Sequence, residues 1–277
     1  MNVKEQQKKH WNAVAGGWGT WLDWTSRNFQ PIADWLGNAA HWQPGARVLD
    51  VACGSGFPAL ATAAAVRPGG TVVATDISPE MLAVAASRAK RDALDNIEFV
   101  EMDAEHLRFS DGEFDAVTNA YGLMFSPDVP RAIAEARRVL RSRGRFLAVT
   151  WDEPSRNPFF SVIAPVAAPF LAIQPLAAGA PGPFRLSSAT QLESLLCEAG
   201  LSDVRVDRVP MTLELASADE YLQVFSDVAW KARVAVLSDG DLERLREAIA
   251  EAVQPHIVGG RVRLVASSLC AAGSRTP

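Results

Sequence analysis

Cysteine, histidine and tyrosine are scarce in this chain of 277 residues, which contains three cysteines, four histidines and two tyrosines. Cys53, Cys197 and Cys270 are too few for a disulfide framework, and none has the spacing of a metal-binding motif. We therefore expect no structural metal. The chain is long enough to be stabilised by a hydrophobic core instead.

The sequence also lacks a long uninterrupted apolar segment and an excess of positive charge. Its longest apolar stretch, residues 159–184, is broken by five prolines, whereas a membrane span needs about 20 continuous apolar residues. The net charge of −5 offers no basic field for a phosphate backbone. The first ten residues are polar and charged, unlike a signal peptide. We expect a cytoplasmic protein with no membrane span, whose partner is a small molecule and not nucleic acid.

The most informative segment is VLDVACGSG, an apolar run that ends in Asp50 and turns through Gly54 and Gly56 toward a helix-like segment. Glycine at both positions permits a tight turn and a close approach of the backbone to a ligand. Two further apolar runs also end in acids, at Asp76 and Asp103. Carboxylates at consecutive strand ends predict a nucleoside-containing ligand at the carboxyl edge of a parallel sheet.

The glycine spacing alone does not identify that ligand. Gly54, Gly56 and Ala59 also satisfy the dinucleotide fingerprint, so a nicotinamide or flavin site is an alternative. A pyrophosphate prefers bare backbone N–H groups at a positive helix end, and the carboxylate of Asp50 would repel it. The sulfonium and ammonium groups of S-adenosylmethionine would instead gain from a nearby negative charge. The pattern therefore favours S-adenosylmethionine.

Residues of about 40 to 151 resemble the class I S-adenosylmethionine-dependent methyltransferases of the ubiquinone/menaquinone-biosynthesis-like group (methyltransferase type 11). The resemblance is carried by four ordered stretches: VLDVACGSG, VVATDISPEMLAVAASRA, VEMDAEHLRFSDGEFDAV and AYGLMFSPD. Two departures are Phe57, where many members have a third glycine, and residues 142–144, where Pro-Gly-Gly is common. Both concern turns, so the resemblance still implies a cofactor site.

That resemblance implies roles for residues at successive strand ends. Asp76 would accept both ribose hydroxyls, and Ile77 and Met81 would enclose the adenine ring. Asp103 would accept the adenine amino group, while the backbone N–H of Ala104 would meet a ring nitrogen. Together with Asp50, Gly54 and Gly56, these residues form the expected cofactor site.

Two further positions resemble family positions near the cofactor. Asn119 corresponds to the residue beside the methionine portion, and Trp18 to an N-terminal aromatic that covers the cofactor. Structural alternatives remain open for two of the acids. Asp76 could cap the turn at Ser78, and Asp103 could be a helix N-cap.

A catalytic base is the hardest role to assign. Methyl transfer from a sulfonium needs mainly alignment of the reacting atoms, and a base only where the nucleophile must lose a proton. His10 and His256 are the candidates. The carboxyl ends of strands face the substrate in this architecture, and the predicted substrate contacts are Trp11, Tyr121, Trp151 and Asp152.

Short apolar runs alternate with helix-like segments between residues 46 and 151, which predicts an α/β fold with a parallel sheet. The resemblance implies a Rossmann-like, doubly wound, mostly parallel seven-stranded sheet that ends in an edge hairpin. We expect a helical N-terminal cap over residues 1–42, with breaks at Gly16–Gly17 and Gly37. The methyltransferase domain would span 43–277, with substrate-side insertions at about 152–188 and 216–256.

Six of the eight tryptophans lie in the first 42 residues. We expect this leader and the 159–184 stretch to cover the carboxyl edge of the sheet as an aromatic-lined chamber. Such a chamber predicts an apolar or aromatic acceptor, either quinone-type or a specialised metabolite. The alternative is that both regions pack on each other or on a second subunit, as in a homodimer.

Three functions are therefore weighed. The leading one is a methyltransferase, bacterial by its alanine- and arginine-rich composition, that acts on a small molecule. The alternatives are an NAD(P)-dependent oxidoreductase, and a protein that binds S-adenosylmethionine without transferring its methyl group.

Overall fold

The computed structural model describes residues 2–177 and 179–276. Its strands are β1 (Arg47–Val51), β2 (Thr71–Asp76), β3 (Ile97–Glu101), β4 (Phe114–Ala120), β5 (Leu140–Trp151), β6 (Leu201–Leu215), β7 (Ile257–Val258) and β8 (Arg261–Arg275). Its α-helices are α1 (Val3–Thr20), α2 (Leu22–Asn28), α3 (Gln30–Ala40), α4 (Ala59–Ala65), α5 (Pro79–Arg91), α6 (Val129–Val139), α7 (Pro158–Ser161), α8 (Ile163–Leu171), α9 (Ala189–Glu198), α10 (Ala218–Phe225), α11 (Lys231–Val234) and α12 (Asp239–Ala252).

The strands form one sheet in the order β3-β2-β1-β4-β5-β8-β6, with β7 paired to β8. Strands β1 to β5 run parallel, whereas β8 is antiparallel to both β5 and β6. The predicted doubly wound sheet with an edge hairpin is confirmed, and the two-residue β7 adds one strand to the seven expected. The winding reverses between β1 and β4, so the carboxyl ends of these strands border a crevice suited to ligands.

Local sequence signals explain where the helices next to this crevice begin. The Ser78 hydroxyl accepts a hydrogen bond from the Met81 N–H and caps α5, and Asp128 caps α6 in the same way. A proline also lies near the start of each helix, where its missing backbone N–H costs no intrahelical hydrogen bond. Because β1, β2 and β4 are almost wholly buried, helices must cover both faces of the sheet.

The predicted break at Gly16–Gly17 is wrong, and so is the predicted break at Gly37. Helix α1 is continuous through Thr20, and α3 runs through Gly37 to Ala40. Trp18 therefore lies inside a helix and not in a turn. The reason is tertiary packing: the backbone of Gly17 lies directly against the carbonyl of Asp227, a contact that outweighs the weak helix propensity of glycine.

The leader helices dock on the C-terminal half of the chain through tryptophan N–H groups. Trp24 Nε1 donates to the Glu214 carbonyl at 2.7 Å, Trp21 Nε1 to Asp227 Oδ2 at 2.9 Å, and Trp35 Nε1 to Asp207 Oδ2 at 2.8 Å. Further along, α3 contributes to the main hydrophobic core of the sheet. The leader is thus anchored to β6 and to the turn after α10.

Two adjacent glycines of α1 provide a matched pair of variants. Gly17→Ala places a methyl group on the Asp227 carbonyl, whereas a methyl group at Gly16 meets nothing within 4 Å. We expect Gly17→Ala to lower the free energy of unfolding by about 1–3 kcal/mol through overpacking. Gly16→Ala should raise it by roughly 0.5–1 kcal/mol through helix propensity. Urea denaturation of both variants tests this; equal effects would contradict the close approach.

Within the described part of the chain, no helix combines the length and the apolar character needed to cross a lipid bilayer.

Candidate functional site

A cavity of about 520 Å³ opens at the carboxyl ends of the parallel strands. Strand ends and their following loops form its floor, from the glycine loop after β1 to Trp151 at the end of β5. Helix α1 covers one side. The other side is closed by two further segments, which contribute Phe159 and Phe160, and Val224, Phe225, Val228, Ala229 and Trp230. Its size is that of a typical small-molecule site.

The glycine loop presents its backbone to this cavity. Gly54 has a φ of +52°, it lines the cavity, and a Cβ there would meet no protein atom within 4 Å. A side chain at Gly54 would therefore occupy the space of a ligand. Gly56 is different: it lies outside the cavity lining, and a Cβ there would press on Leu60. Its absence of a side chain serves packing.

Asp76 joins the end of β2 to the glycine loop. Its Oδ2 accepts the Gly54 N–H at 2.8 Å, and its Oδ1 accepts the Ser78 N–H at 2.8 Å. The structural role in the Ser78 turn is thus real, yet Asp76 also lines the cavity. Each oxygen has a further lone pair for a hydroxyl donor. Burial raises the pKa of Asp76 to about 6, and the backbone donors oppose this rise.

Asp103 lies at the opposite rim in a small charged cluster. Its Oδ2 accepts from Lys4 Nζ at 2.6 Å, and its Oδ1 accepts the Glu105 N–H at 2.9 Å. Glu105 binds Lys4 as well, and it holds the Asp128 N–H at 2.8 Å. All three charged side chains line the cavity. Lys4 therefore ties α1 to the end of β3.

Three residues with expected adenine contacts also reach the cavity. Ile77, Met81 and Ala104 line the cavity, and Met81 packs in one cluster with Trp18. The Trp18 indole Nε1 is buried and has no hydrogen-bond partner among residues 2–177 and 179–276. An unpaired buried donor costs about 1–3 kcal/mol, so this N–H next to the cavity fits a ligand acceptor.

Asp50 does not reach the cavity. It is fully buried, its Oδ1 accepts from Thr118 Oγ1 at 2.5 Å, and it is absent from the lining. Burial raises the pKa of Asp50 to about 8, and the neighbouring Asp76 adds to the rise. The sequence-based argument that Asp50 attracts a sulfonium is therefore wrong in its mechanism. The residue supports the floor of the loop in a largely protonated form.

The raised pKa of Asp50 has a measurable effect on stability. The pKa lies above that of the unfolded chain, so its stabilising contribution is complete below pH 4 and is lost as pH rises through about 8. We expect the free energy of unfolding to fall between pH 6 and pH 8 by up to about 1.4 kcal/mol per unit. Asp50→Asn should remove this slope in urea titrations at both pH values. An unchanged slope would contradict the assignment.

The resemblance implied that Asn119 contacts the cofactor, but in the structure its side chain bonds the protein backbone. Its Oδ1 accepts the Leu123 N–H at 2.7 Å, and it lies outside the lining. This bond closes the turn after β4 and helps to hold Tyr121 at a φ of +61°. The Tyr121 ring then lines the cavity, while its hydroxyl is hydrogen-bonded to Ser268 Oγ at 2.8 Å.

The side of the cavity away from the acids is aromatic. Tyr121 and Trp151 lie with ring centroids 4.6 Å apart, and Phe29 packs against both rings. The network continues through Phe159, Phe160, Phe225 and Trp230. Among the described residues, the ionisable side chains apart from tyrosine and cysteine that line the cavity are Lys4, His10, Asp76, Asp103 and Glu105, and none of them belongs to this aromatic network.

The structure separates the remaining predicted residues. Trp11 and His10 line the cavity, and burial lowers the pKa of His10. Asp152 is fully buried and bonded to Ser267 at 3.0 Å and Arg208 at 3.1 Å, outside the lining. His256 also lies outside it. The substrate contact predicted for Asp152 and the base predicted at His256 are therefore wrong.

Several lining residues were not predicted from the sequence. Lys4 and Glu105 reach the site through an ion pair between distant segments, for which the sequence gives no signal. Phe29 lies in the tryptophan-rich leader, and Trp230 lies in the insertion expected at about 216–256. The sequence did not indicate which side of either segment faces the cavity. Only the surplus of tryptophan and phenylalanine in these regions could have suggested them.

Known proteins resemble the part of the chain that contains the glycine loop and strands β1 to β5. Residues 33–168 match the ubiE/COQ5 methyltransferase family. The ubiquinone/menaquinone biosynthesis C-methyltransferase UbiE of Brucella abortus is 42% identical over 120 residues, which are 43% of this chain and 44% of that protein. The matched region thus spans less than half the length of such curated relatives.

Solved structures share the fold over most of the chain. A putative methyltransferase from Bacillus halodurans superposes with a TM-score of 0.60 at 22% identity, over 88% of this chain and 99% of its own. The [4+2]-cyclase SpnF does so with a TM-score of 0.57 at 21% identity, over 89% and 81%. This chain therefore has the fold of these proteins, and its residues 33–168 are similar to the ubiE/COQ5 methyltransferase family. The cofactor of that family is S-adenosylmethionine.

Proposed function

We propose that this protein transfers the methyl group of S-adenosylmethionine to a small, neutral, apolar or aromatic acceptor. The observation that carries the proposal is the division of one cavity into two unlike parts. Asp76, Gly54 and Asp103 supply polar groups on one side, and a connected set of aromatic rings forms the other. A polar cofactor next to an apolar acceptor matches this division.

The residues present fit the cofactor. The open space above Gly54 accepts a ligand against the loop backbone. Asp76 binds hydroxyl groups through its free lone pairs, and Ile77 and Met81 hold a flat ring between apolar atoms. Trp18 offers its unpaired indole N–H. When bound, the cofactor supplies an electrophilic methyl group on a sulfonium.

The contribution of the protein is then mainly orientation and the exclusion of water. Tyr121 and Trp151 form a rigid aromatic surface at the ends of β4 and β5, and holding two reactants in register can supply several kcal/mol of the barrier. His10 is the proposed base for an acceptor that must lose a proton, since its lowered pKa favours the neutral imidazole at pH 7.

The acceptor is proposed to be neutral because the aromatic side offers no charged partner. The N–H groups of Trp21 and Trp24 are bonded to Asp227 and to the Glu214 carbonyl, so these side chains present chiefly ring carbon to the cavity. A carboxylate or phosphate on the acceptor would lose its hydration there without compensation. The ubiE relatives make a quinone-type ring one candidate within this class.

Calorimetry with S-adenosylhomocysteine and NADH tests the cofactor. We expect S-adenosylhomocysteine to bind with a dissociation constant below about 1 mM, and NADH not to bind. Binding of NADH but not of S-adenosylhomocysteine would support the alternative that the glycine loop binds a nicotinamide cofactor in an oxidoreductase. Binding of neither ligand by folded protein would overturn the proposal.

A further inference from the structure

An unusual helical segment lies next to the aromatic side of the cavity. After α10, residues Ser226–Trp230 form a π-helical turn, a geometry that is rare and frequent at functional sites. Val228, Ala229 and Trp230 all line the cavity. The Trp230 ring lies 4.8 Å from that of Phe225, so the turn extends the aromatic wall.

This turn is held in place from the outside. Asp227 Oδ2 accepts from Trp21 Nε1 at 2.9 Å, and Asp227 Oδ1 accepts from Gln223 Nε2 at 3.0 Å. The Gly17 backbone presses on the Asp227 carbonyl. Asp227 itself does not line the cavity. Its bonds to the leader therefore fix the direction in which Val228 and Trp230 face.

The register of the π turn decides where the Trp230 ring lies. Each residue of a helix rotates the next side chain by about 100°, so the wider turn moves Trp230 relative to a regular helix. The whole cavity measures about 520 Å³, and the cofactor side takes part of it. The acceptor must fit in the rest of the cavity. The residues of the π turn form part of the boundary of that space.

We infer that Trp230, positioned by the Asp227-anchored π turn, is the residue that limits the size of the acceptor. The inference rests on the proposed function for the nature of the acceptor, a neutral aromatic compound. It adds that the Trp230 side chain makes the cavity favour a compact ring system over an extended one. Val228, two residues earlier, also lines the cavity.

Fluorescence anisotropy of two neutral probes tests the inference. 2-Naphthol and 1-hydroxypyrene are titrated with protein at saturating S-adenosylhomocysteine, and the ratio of their dissociation constants is measured. We expect Trp230→Ala to shift this ratio toward 1-hydroxypyrene by about 5-fold or more. Trp35→Ala is the matched control, because Trp35 bonds Asp207 outside the lining, and it should leave the ratio unchanged.

A second variant covers the case in which Trp230→Ala fails to fold. Val228→Trp adds a ring at another position of the cavity lining, and it should weaken 2-naphthol binding about 5-fold or more while S-adenosylhomocysteine still binds. A smaller shift in either folded variant, an equal shift in Trp35→Ala, or no binding of 2-naphthol by the wild type would overturn the inference. If the wild-type protein does not bind S-adenosylhomocysteine, that result counts against the proposed function instead. The ratio of the probe dissociation constants is then measured in the absence of S-adenosylhomocysteine.

Discussion

Asp76→Ala should weaken the binding of S-adenosylhomocysteine by about 10-fold to 100-fold, since hydrogen bonds to a charged group are worth roughly 1.5–3 kcal/mol. Asp76 lines the cavity and is the acid that also holds the Gly54 N–H. The variant thus removes a ligand contact and loosens the loop below it. Calorimetry at pH 8, above the raised pKa of Asp76, measures the effect with the carboxylate ionised.

Two controls accompany this variant. Asp95→Ala removes an acid whose side chain is 90% exposed and pairs only with Arg67 on the surface, so its effect should be small. Asp76→Asn keeps the side-chain shape and one of the two acceptors for backbone N–H groups, so it should weaken binding less than Asp76→Ala. Unchanged affinity in a folded Asp76→Ala protein would remove Asp76 from the site.

Deletion of residues 1–24 should leave the sheet folded but lower turnover by about 100-fold, because misplaced reactants lose that much in rate. The deletion removes Lys4, Trp18, Trp21 and Trp24, which line the cavity. We also expect cofactor affinity to fall by about 10-fold or more, since Trp18 packs on Met81. Circular dichroism checks the fold, and calorimetry measures the affinity.

The matched control for the leader is Trp35→Phe in the full-length chain, which changes a tryptophan outside the lining and should keep full turnover. If the shortened chain does not fold, Trp24→Ala carries the same test, because Trp24 stacks on Phe159 at 5.9 Å. Normal methylation by folded protein without the leader would contradict the chamber.

Much of the fold was predictable because its signals are local. Apolar runs that end at Asp50, Asp76 and Asp103 mark three strands, and Ser78–Pro79 marks a helix start. The same local signals placed Asp76 and Asp103 at the cavity. Several of the sequence-based errors concern residues whose role depends on distant partners.

Three examples show why. Asp50 has the same pattern as Asp76, yet Thr118 on the neighbouring strand holds it beneath the loop. Gly17 appeared to break a helix because its packing partner Asp227 lies far along the chain. Lys4 and Asp103 are 99 residues apart, and no local pattern predicts their contact. Tertiary contacts of this kind decide which side of an element faces the cavity.

Transfer of a labelled methyl group tests the central claim most directly. The protein is incubated with methyl-labelled S-adenosylmethionine and an unfractionated extract of its source. The products are then separated into neutral solvent-soluble, acidic and polymeric material, and label and S-adenosylhomocysteine are measured together. The account predicts label in a small, neutral, solvent-extractable product, formed in equal amount to S-adenosylhomocysteine and reduced by about 10-fold or more with Asp76→Ala at subsaturating cofactor. Two results would contradict this account: binding of the cofactor without transfer of label to any product, and label found only in acidic or polymeric material.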